Sequence, residues 1–306
     1  MVTGDDGCVK PPRPLTPPCP LPDRASEVSS ISMIRPVLAL LCLTLLAGCY
    51  ISRSADQPDE LVRTWRGATV VVPFSSADPA MADITGEMGE VEPLLLSARL
   101  APTLPVVVFL HGCNGLHRGY RVDLEFLRGL GYAVIAPDSF SRAYKPTSCD
   151  WRSKSAGSHP GVIGFRLAEA EFAVEQVQRF PWVDSDRIVL MGQSEGGLTT
   201  ANYTGDDVAA RVILGWTCQI PWPPLWGIKG EDDIPVLSVV SEGDRWFERW
   251  FLRGDCGEDM DGFADSRSVV IDGGTHHVLR RDSARDAVAD FLTRVVPSPK
   301  LARASP

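Results

Sequence analysis

The chain has 306 residues, 44% hydrophobic and 23% charged, enough for one large globular domain with segments left outside it. A net charge of −9 with no dense Lys/Arg run excludes a nucleic-acid surface, and no internal repeat stands out.

Residues 1–32 are proline-rich, from Pro11 to Pro22 above all, and are expected to be disordered. Met33-Ile34-Arg35-Pro36 and the apolar run from Val37 to Cys49 come next, too short to span a bilayer but fitting a secretory leader over 33–48. Met33 is then the expected initiator. The run ends in Leu46-Ala47-Gly48-Cys49, which resembles the lipobox of bacterial lipoprotein signals. That resemblance implies a lipid on Cys49 as the first mature residue and a place in the cell envelope. Tyr50 after it, rather than an aspartate, implies the outer membrane. Residues 49–64 are polar and are expected to form a tether, 65–296 the folded domain, and 297–306 a disordered tail.

Within the domain, Ala68–Val72 and Leu94–Ala98 are expected as early strands around a loop with Gly86 and Gly89. Pro105–Leu110 is a strongly apolar strand running into His111-Gly112-Cys113-Asn114-Gly115. Residues 120–130 carry Val122, Phe126, Leu127 and Leu130 on one helical face, and Gly131 stops it. Tyr132–Ala136 is the next strand, and a helix is expected over about 162–179. Further strands are expected at Arg187–Met191, Val212–Trp216, Pro235–Val240 and Ser268–Ile271. A last helix bears Ala284, Val288, Phe291, Leu292 and Val295. Strands alternating with helices predict an α/β fold: one domain with a doubly wound, mostly parallel sheet.

Gly192-Gln193-Ser194-Glu195-Gly196-Gly197 stands between the Arg187–Met191 strand and a stretch able to continue as a helix. A strand, a sharp G-x-S-x-G turn and a helix form the nucleophile elbow of an α/β-hydrolase. It exposes the Ser194 hydroxyl at a helix N-terminus, where free N–H groups favour developing negative charge. In that fold the acid and then the histidine come after the serine in the chain. Of five histidines only His276 and His277 do so, and His276 is the first candidate for the base. Asp244, just past the Val236–Val240 strand, is the candidate acid, with Glu242 its rival. Asp232, Asp233, Asp255 and Asp259 read as a solvated rim. The Glu195 N–H is one candidate oxyanion donor and the Cys113 N–H the other, with Gly112 allowing close approach. His111 precedes the serine and reads as a residue packing the loop. Trp216, Trp222 and Trp226, among several prolines, suit either a wall over the site or plain packing.

The stretch from about 65 to 295 resembles the dienelactone hydrolase-like branch of the α/β-hydrolases. The residues that carry the resemblance are His111–Gly115, Gly131–Val134, Pro137–Ser139, Gly192–Gly197, Asp244 and Gly273–His276. The namesake enzyme uses a cysteine nucleophile where this chain has Ser194, so the resemblance implies a general carboxylic-ester substrate. The expected protein is a lipid-anchored serine hydrolase acting on small ester molecules. An amide, a thioester or acyl transfer is an alternative for the same triad, and an inactive binding module is a third reading. No cofactor is expected, and the cysteines lack the spacing of a zinc site. With Cys49 lipidated, Cys113, Cys149, Cys218 and Cys256 form an even set in an oxidising compartment. Cys113–Cys149 and Cys218–Cys256 are the expected bridges, because each pair belongs at the carboxyl edge of the sheet.

Overall fold

The apolar, β-branched runs become strands because such residues pack well on a pleated surface buried on both sides. The computed structural model describes residue 55, residues 57–159 and residues 161–300. The proline-rich extension, the apolar run and Cys49 lie outside them. The elements in order are α1 (Pro58–Arg66), β1 (Thr69–Val72), α2 (Phe74–Ala77), β2 (Ile84–Glu87), α3 (Met88–Ser97) and β3 (Leu104–Leu110). Next come α4 (Arg121–Gly129), β4 (Ala133–Ala136), a small hairpin of β5 (Cys149–Asp150) and β6 (Ser155–Ala156), and α5 (Val162–Val177). Then β7 (Val183–Gln193), α6 (Glu195–Ala201), β8 (Ala210–Leu214), β9 (Val236–Ser241), β10 (Arg267–Ile271) and α7 (Asp282–Val295) complete the domain.

Eight strands form one sheet in the order β10-β9-β8-β7-β3-β4-β1-β2. From β10 to β4 every pair is parallel, and β1 runs antiparallel to both β4 and β2. Successive strand residues point to opposite faces, so each central strand feeds two cores. Val106 and Val108 of β3 pack with Ile188 and Leu190 of β7 beneath Leu95 of α3 and Ala170, Ala173 and Val174 of α5. Val107 and Phe109 pack with Val189 and Met191 beneath Leu124 and Leu127 of α4 and Val288 and Phe291 of α7. The expected doubly wound α/β architecture is therefore present.

Four local expectations are corrected. Leu94–Ala98 is not a strand: Leu95 is fully buried, whereas Leu94 is 58% exposed and Leu96 38% exposed, the one-sided burial of helix α3. Gly86 lies not in a loop but in edge strand β2, where Val70 pairs with Gly86 and Thr69 with Glu87. The expected tether already contains α1, with Pro58 in its first turn, Asp59 and Glu60 on the positive end of the helix dipole, and Leu61 and Trp65 buried. At the far end, Ser298 is buried and its hydroxyl donates to the Leu130 carbonyl at 2.6 Å, so ordered chain continues past 296. Among the described residues no helix is long and apolar enough to cross a membrane.

Candidate active site

Ser194 sits between β7 and α6 with φ 60° and ψ −116°, a conformation costly for any residue bearing a side chain. Its neighbours explain how the turn is enforced. A Cβ at Gly192 would stand 2.0 Å from the Gly196 carbonyl oxygen, and one at Gly196 would stand 2.1 Å from that of Leu110. Only hydrogen fits at either position. The Ser194 N–H donates to the Leu214 carbonyl at 2.8 Å, tying the turn to β8.

His276 lies beyond β10 and Asp244 beyond β9, so both reach the carboxyl edge where Ser194 emerges. His276 Nε2 lies 2.8 Å from Ser194 Oγ, and His276 Nδ1 lies 2.6 Å from Asp244 Oδ2. Asp244 is buried, and its other oxygen accepts the Trp246 N–H at 3.0 Å. The two loops are stitched together: the Gly243 N–H and the Ser241 hydroxyl both donate to the Gly273 carbonyl at 2.7 Å. Glu242, the rival acid, points to solvent.

His277 faces away from the serine. Its ring packs 5.4 Å from Tyr120 and 5.7 Å from His117. Burial, then the charges of His276, His117 and Arg280, lower its pKa to about 4. His111 is wholly buried, and its Nε2 accepts the Ser139 N–H at 3.1 Å. That leaves the proton on Nδ1, which donates to the Gly112 carbonyl at 2.7 Å. Burial and then Arg166 push its pKa well below the usual histidine range, so it holds the loop as a neutral ring. Arg166, itself buried, donates to the His111 carbonyl at 2.7 Å and to Ser139 Oγ at 2.6 Å. Glu169 balances Arg166 and Arg142 beneath.

Cys113 and Glu195 line the same cavity as Ser194 and His276, with a volume of 440 Å³. Cys113 lies in the turn after β3 and Glu195 opens α6, and among the described residues neither N–H donates across to a backbone acceptor of another loop or strand. The Glu195 side chain is half-buried; desolvation raises its pKa, the Arg166 charge opposes that, and the Ser148 hydroxyl donates to it. Ser148 adjoins Cys149, which is bridged to Cys113 with an S–S distance of 2.01 Å. Cys218 and Cys256 form the second bridge. Both disulfides join the pairs expected from the sequence.

Several contributors were not singled out in the sequence. The Tyr120 hydroxyl accepts the Gly112 N–H at 2.8 Å, and burial pushes its pKa up to about 12. Gln193 Nε2 donates to the His276 carbonyl at 2.7 Å. The Trp246 ring stacks on His276 with centroids 5.0 Å apart. Gln193 occupies the variable position of the elbow and Trp246 lies two residues past Asp244; those spacings were the available signals. Trp216 and Trp222 do line the cavity, whereas Trp226 is 51% exposed and lies outside it. Asp232 and Asp233 are exposed as expected of a solvated rim, whereas Asp255 and Asp259 are half-buried, and burial raises the pKa of Asp259.

No family model matches the chain. Among curated proteins, the acylamino-acid-releasing enzyme of Sus scrofa is 28% identical over 165 residues, 50% of this chain but 21% of that enzyme's length. Among solved structures, a dienelactone hydrolase-like promiscuous phosphotriesterase from metagenomic libraries is 17% identical, covering 74% of this chain and 98% of its own, with a TM-score of 0.48. A phospholipase/carboxylesterase from Dyadobacter fermentans is 16% identical over 62% of this chain and 90% of its own, with a TM-score of 0.42. The fold is of the α/β-hydrolase type. The sheet itself carries this type, with its antiparallel β1, its sharp turn at Ser194 and the order of loops after β9 and β10. An α/β-hydrolase sheet presents these loop residues at its carboxyl edge, where the cavity opens.

Proposed function

We propose that the protein is a serine hydrolase of carboxylic esters. The observation that carries this reading is the continuous hydrogen-bonded line from Asp244 through His276 to Ser194 at the floor of a 440 Å³ cavity. His276 takes the proton as Ser194 Oγ attacks the ester carbonyl. Asp244 fixes the imidazole tautomer and stabilises the imidazolium. The N–H groups of Glu195 and Cys113 receive the charge on the carbonyl oxygen. Collapse releases the alcohol, which takes its proton from His276. Water then attacks the acyl-serine by the same route in reverse.

The envelope placement belongs to the same proposal: cleavage before Cys49 and a lipid on its sulfur. Its support is the sequence of residues 33–49 and the two disulfides, which suit an oxidising compartment. Mass spectrometry of the mature terminus tests it, and an unmodified terminus elsewhere would refute it.

A second reading, cleavage of an acylated amino-acid or peptide bond, draws on the aligned stretch of the acylamino-acid-releasing enzyme. Comparing p-nitrophenyl esters of graded length with N-acetylalanyl p-nitroanilide separates the two. Faster turnover of the anilide would move the assignment from ester to amide. A fluorophosphonate probe that leaves Ser194 unlabelled would instead support an inactive binding module.

A further inference from the structure

The mouth of the cavity carries more exposed aromatic surface than the chemistry beneath it requires. Trp250 is 82% exposed and Trp151 is 54% exposed. Trp151 lies on the β5–β6 hairpin, and Trp250 lies on the turn just past the candidate acid. Phe251, edge-to-face with Trp250 at 5.6 Å, lines the cavity. Lys154 Nζ stands 5.8 Å from the Trp151 ring and 5.5 Å from the Trp246 ring, so hairpin and turn meet at the opening. Arg152, Lys154, Arg245 and Arg249 line that opening; Glu248 lies 3.5 Å from Arg245, and exposed Asp150 on the hairpin accepts the Arg152 N–H, so the cations outnumber these two acids. The rim is thus locally cationic on a chain whose net charge is −9.

Indole rings with one apolar body and one N–H belong at the boundary between hydrocarbon and water. Lys and Arg beside them are drawn to anionic headgroups. A second observation concerns where the chain enters. Ala55 is buried in the same apolar cluster as Val162, Ile163 and Trp216, all three of which line the cavity. Its carbonyl accepts from Arg142 Nη2 at 2.9 Å, fixing this entry point. Cys49 precedes it by six residues, a reach of at most about 20 Å. A lipid on Cys49 would hold the cavity side of the domain, not its far side, close to the bilayer.

We propose that the aromatic, cationic mouth docks on an anionic lipid bilayer and that the site acts on esters presented by that surface. The inference rests on the ester-hydrolase reading for its chemistry and on the anchor for its orientation. Docking places the cavity opening against the interface, so an ester partitioned there enters without crossing water.

The full chain is tested on phosphatidylcholine vesicles with and without phosphatidylglycerol, each carrying a fluorogenic long-chain ester, beside a water-soluble acetate ester. The expected result is several-fold faster hydrolysis on phosphatidylglycerol vesicles at low salt, with the excess lost at high salt. The Trp151→Ala/Trp250→Ala variant should lose that excess several-fold and keep its rate on the soluble ester. Brominated lipid should quench the tryptophan fluorescence of the full chain, and quench the variant less, whether or not any ester turns over. Equal rates on both vesicles with equal quenching would overturn the proposal. Dextran sulfate perturbing the fluorescence while anionic vesicles do not would assign the rim to a soluble polyanion and overturn it as well. Quenching without hydrolysis of either ester would retain the docking surface and reject the hydrolase reading.

Discussion

Replacing Cys149 with serine tests how the Cys113 loop is held. The Cys113–Cys149 bridge closes a sequence separation of 36 residues. In the chain-entropy treatment, a loop of that size destabilises the unfolded state by about 4 kcal/mol, an upper figure if the denatured chain keeps structure. The same bridge fixes the backbone at Cys113, whose N–H is the proposed second donor to the oxyanion. Removing such a donor altogether costs roughly 10²–10³ in kcat. Cys149→Ser loosens the donor rather than deleting it, because Tyr120 and His111 still brace Gly112. The expected loss is therefore about ten- to a hundred-fold in kcat, or roughly 1.4–2.7 kcal/mol, with KM little changed. Urea titration gives the stability loss and steady-state kinetics on a soluble ester give the rest. A raised KM at unchanged kcat would show that the bridge shapes substrate binding and not the oxyanion site. An unchanged unfolding midpoint would refute the loop-closure reasoning.

Ser194→Ala and His276→Ala should each remove nearly all ester turnover with unchanged circular dichroism, whereas His277→Ala should stay within a few-fold of the parent. A crippled His277→Ala would transfer the base to His277. Asp244→Asn should cost less than the loss of Ser194, since orientation and charge support are part of a larger machinery; full activity there would move the acid elsewhere. Gly196→Ala should yield no soluble folded protein, because its Cβ would stand 2.1 Å from the Leu110 carbonyl oxygen, and normal expression with a normal melting curve would contradict that. His277, lowered to about 4 in the fold against 6.5 when unfolded, binds fewer protons folded than unfolded, so its contribution is present above 6.5 and lost as pH falls toward 4. That loss is at most about 3–4 kcal/mol before solvent screening, and Asp123, raised by burial to about 6, works in the opposite direction over much of the same window. Chemical denaturation of His277→Asn against the parent at pH 7 and pH 4.5 isolates the histidine, and equal acid sensitivity in both would refute it.

The central sheet was legible because β3, β4 and the Ile188–Met191 half of β7 are buried on both sides and read as apolar runs, and β8 and β9 are nearly so, broken only by Arg211, Ser238 and Ser241. The edge was not: β2 alternates half-buried and exposed residues around Gly86 and resembles a loop until β1 pairs with it. Leu94-Leu95-Leu96 misled because three leucines in a row fit a strand, while the fold uses Leu95 alone for the core. The candidate site was legible as far as chain order carried it. Ser194, Asp244 and His276 each lie just beyond a strand, and parallel strands bring the loops at their carboxyl ends to one edge. Tyr120, Gln193 and Trp246 act through contacts with residues distant in the chain; the elbow position of Gln193 and the nearness of Trp246 to Asp244 hint at them, but nothing local records the contacts themselves. The Arg166–Glu169–Arg142 cluster was hidden for another reason. Arg166 and Glu169 read as charges on a solvated helix face and Arg142 as a loop charge, and only the packed structure shows that all three are buried and paired.

Intact-mass analysis after treatment with a fluorophosphonate measures directly whether Ser194 is an activated nucleophile. A serine polarised by His276 should form one covalent adduct, mapped by peptide sequencing to Ser194. Labelling should slow sharply in His276→Ala and less in Asp244→Asn, because the first loses the base and the second only its support. Absence of an adduct, or an adduct on another residue with ester turnover intact in Ser194→Ala, would contradict the assignment of this site.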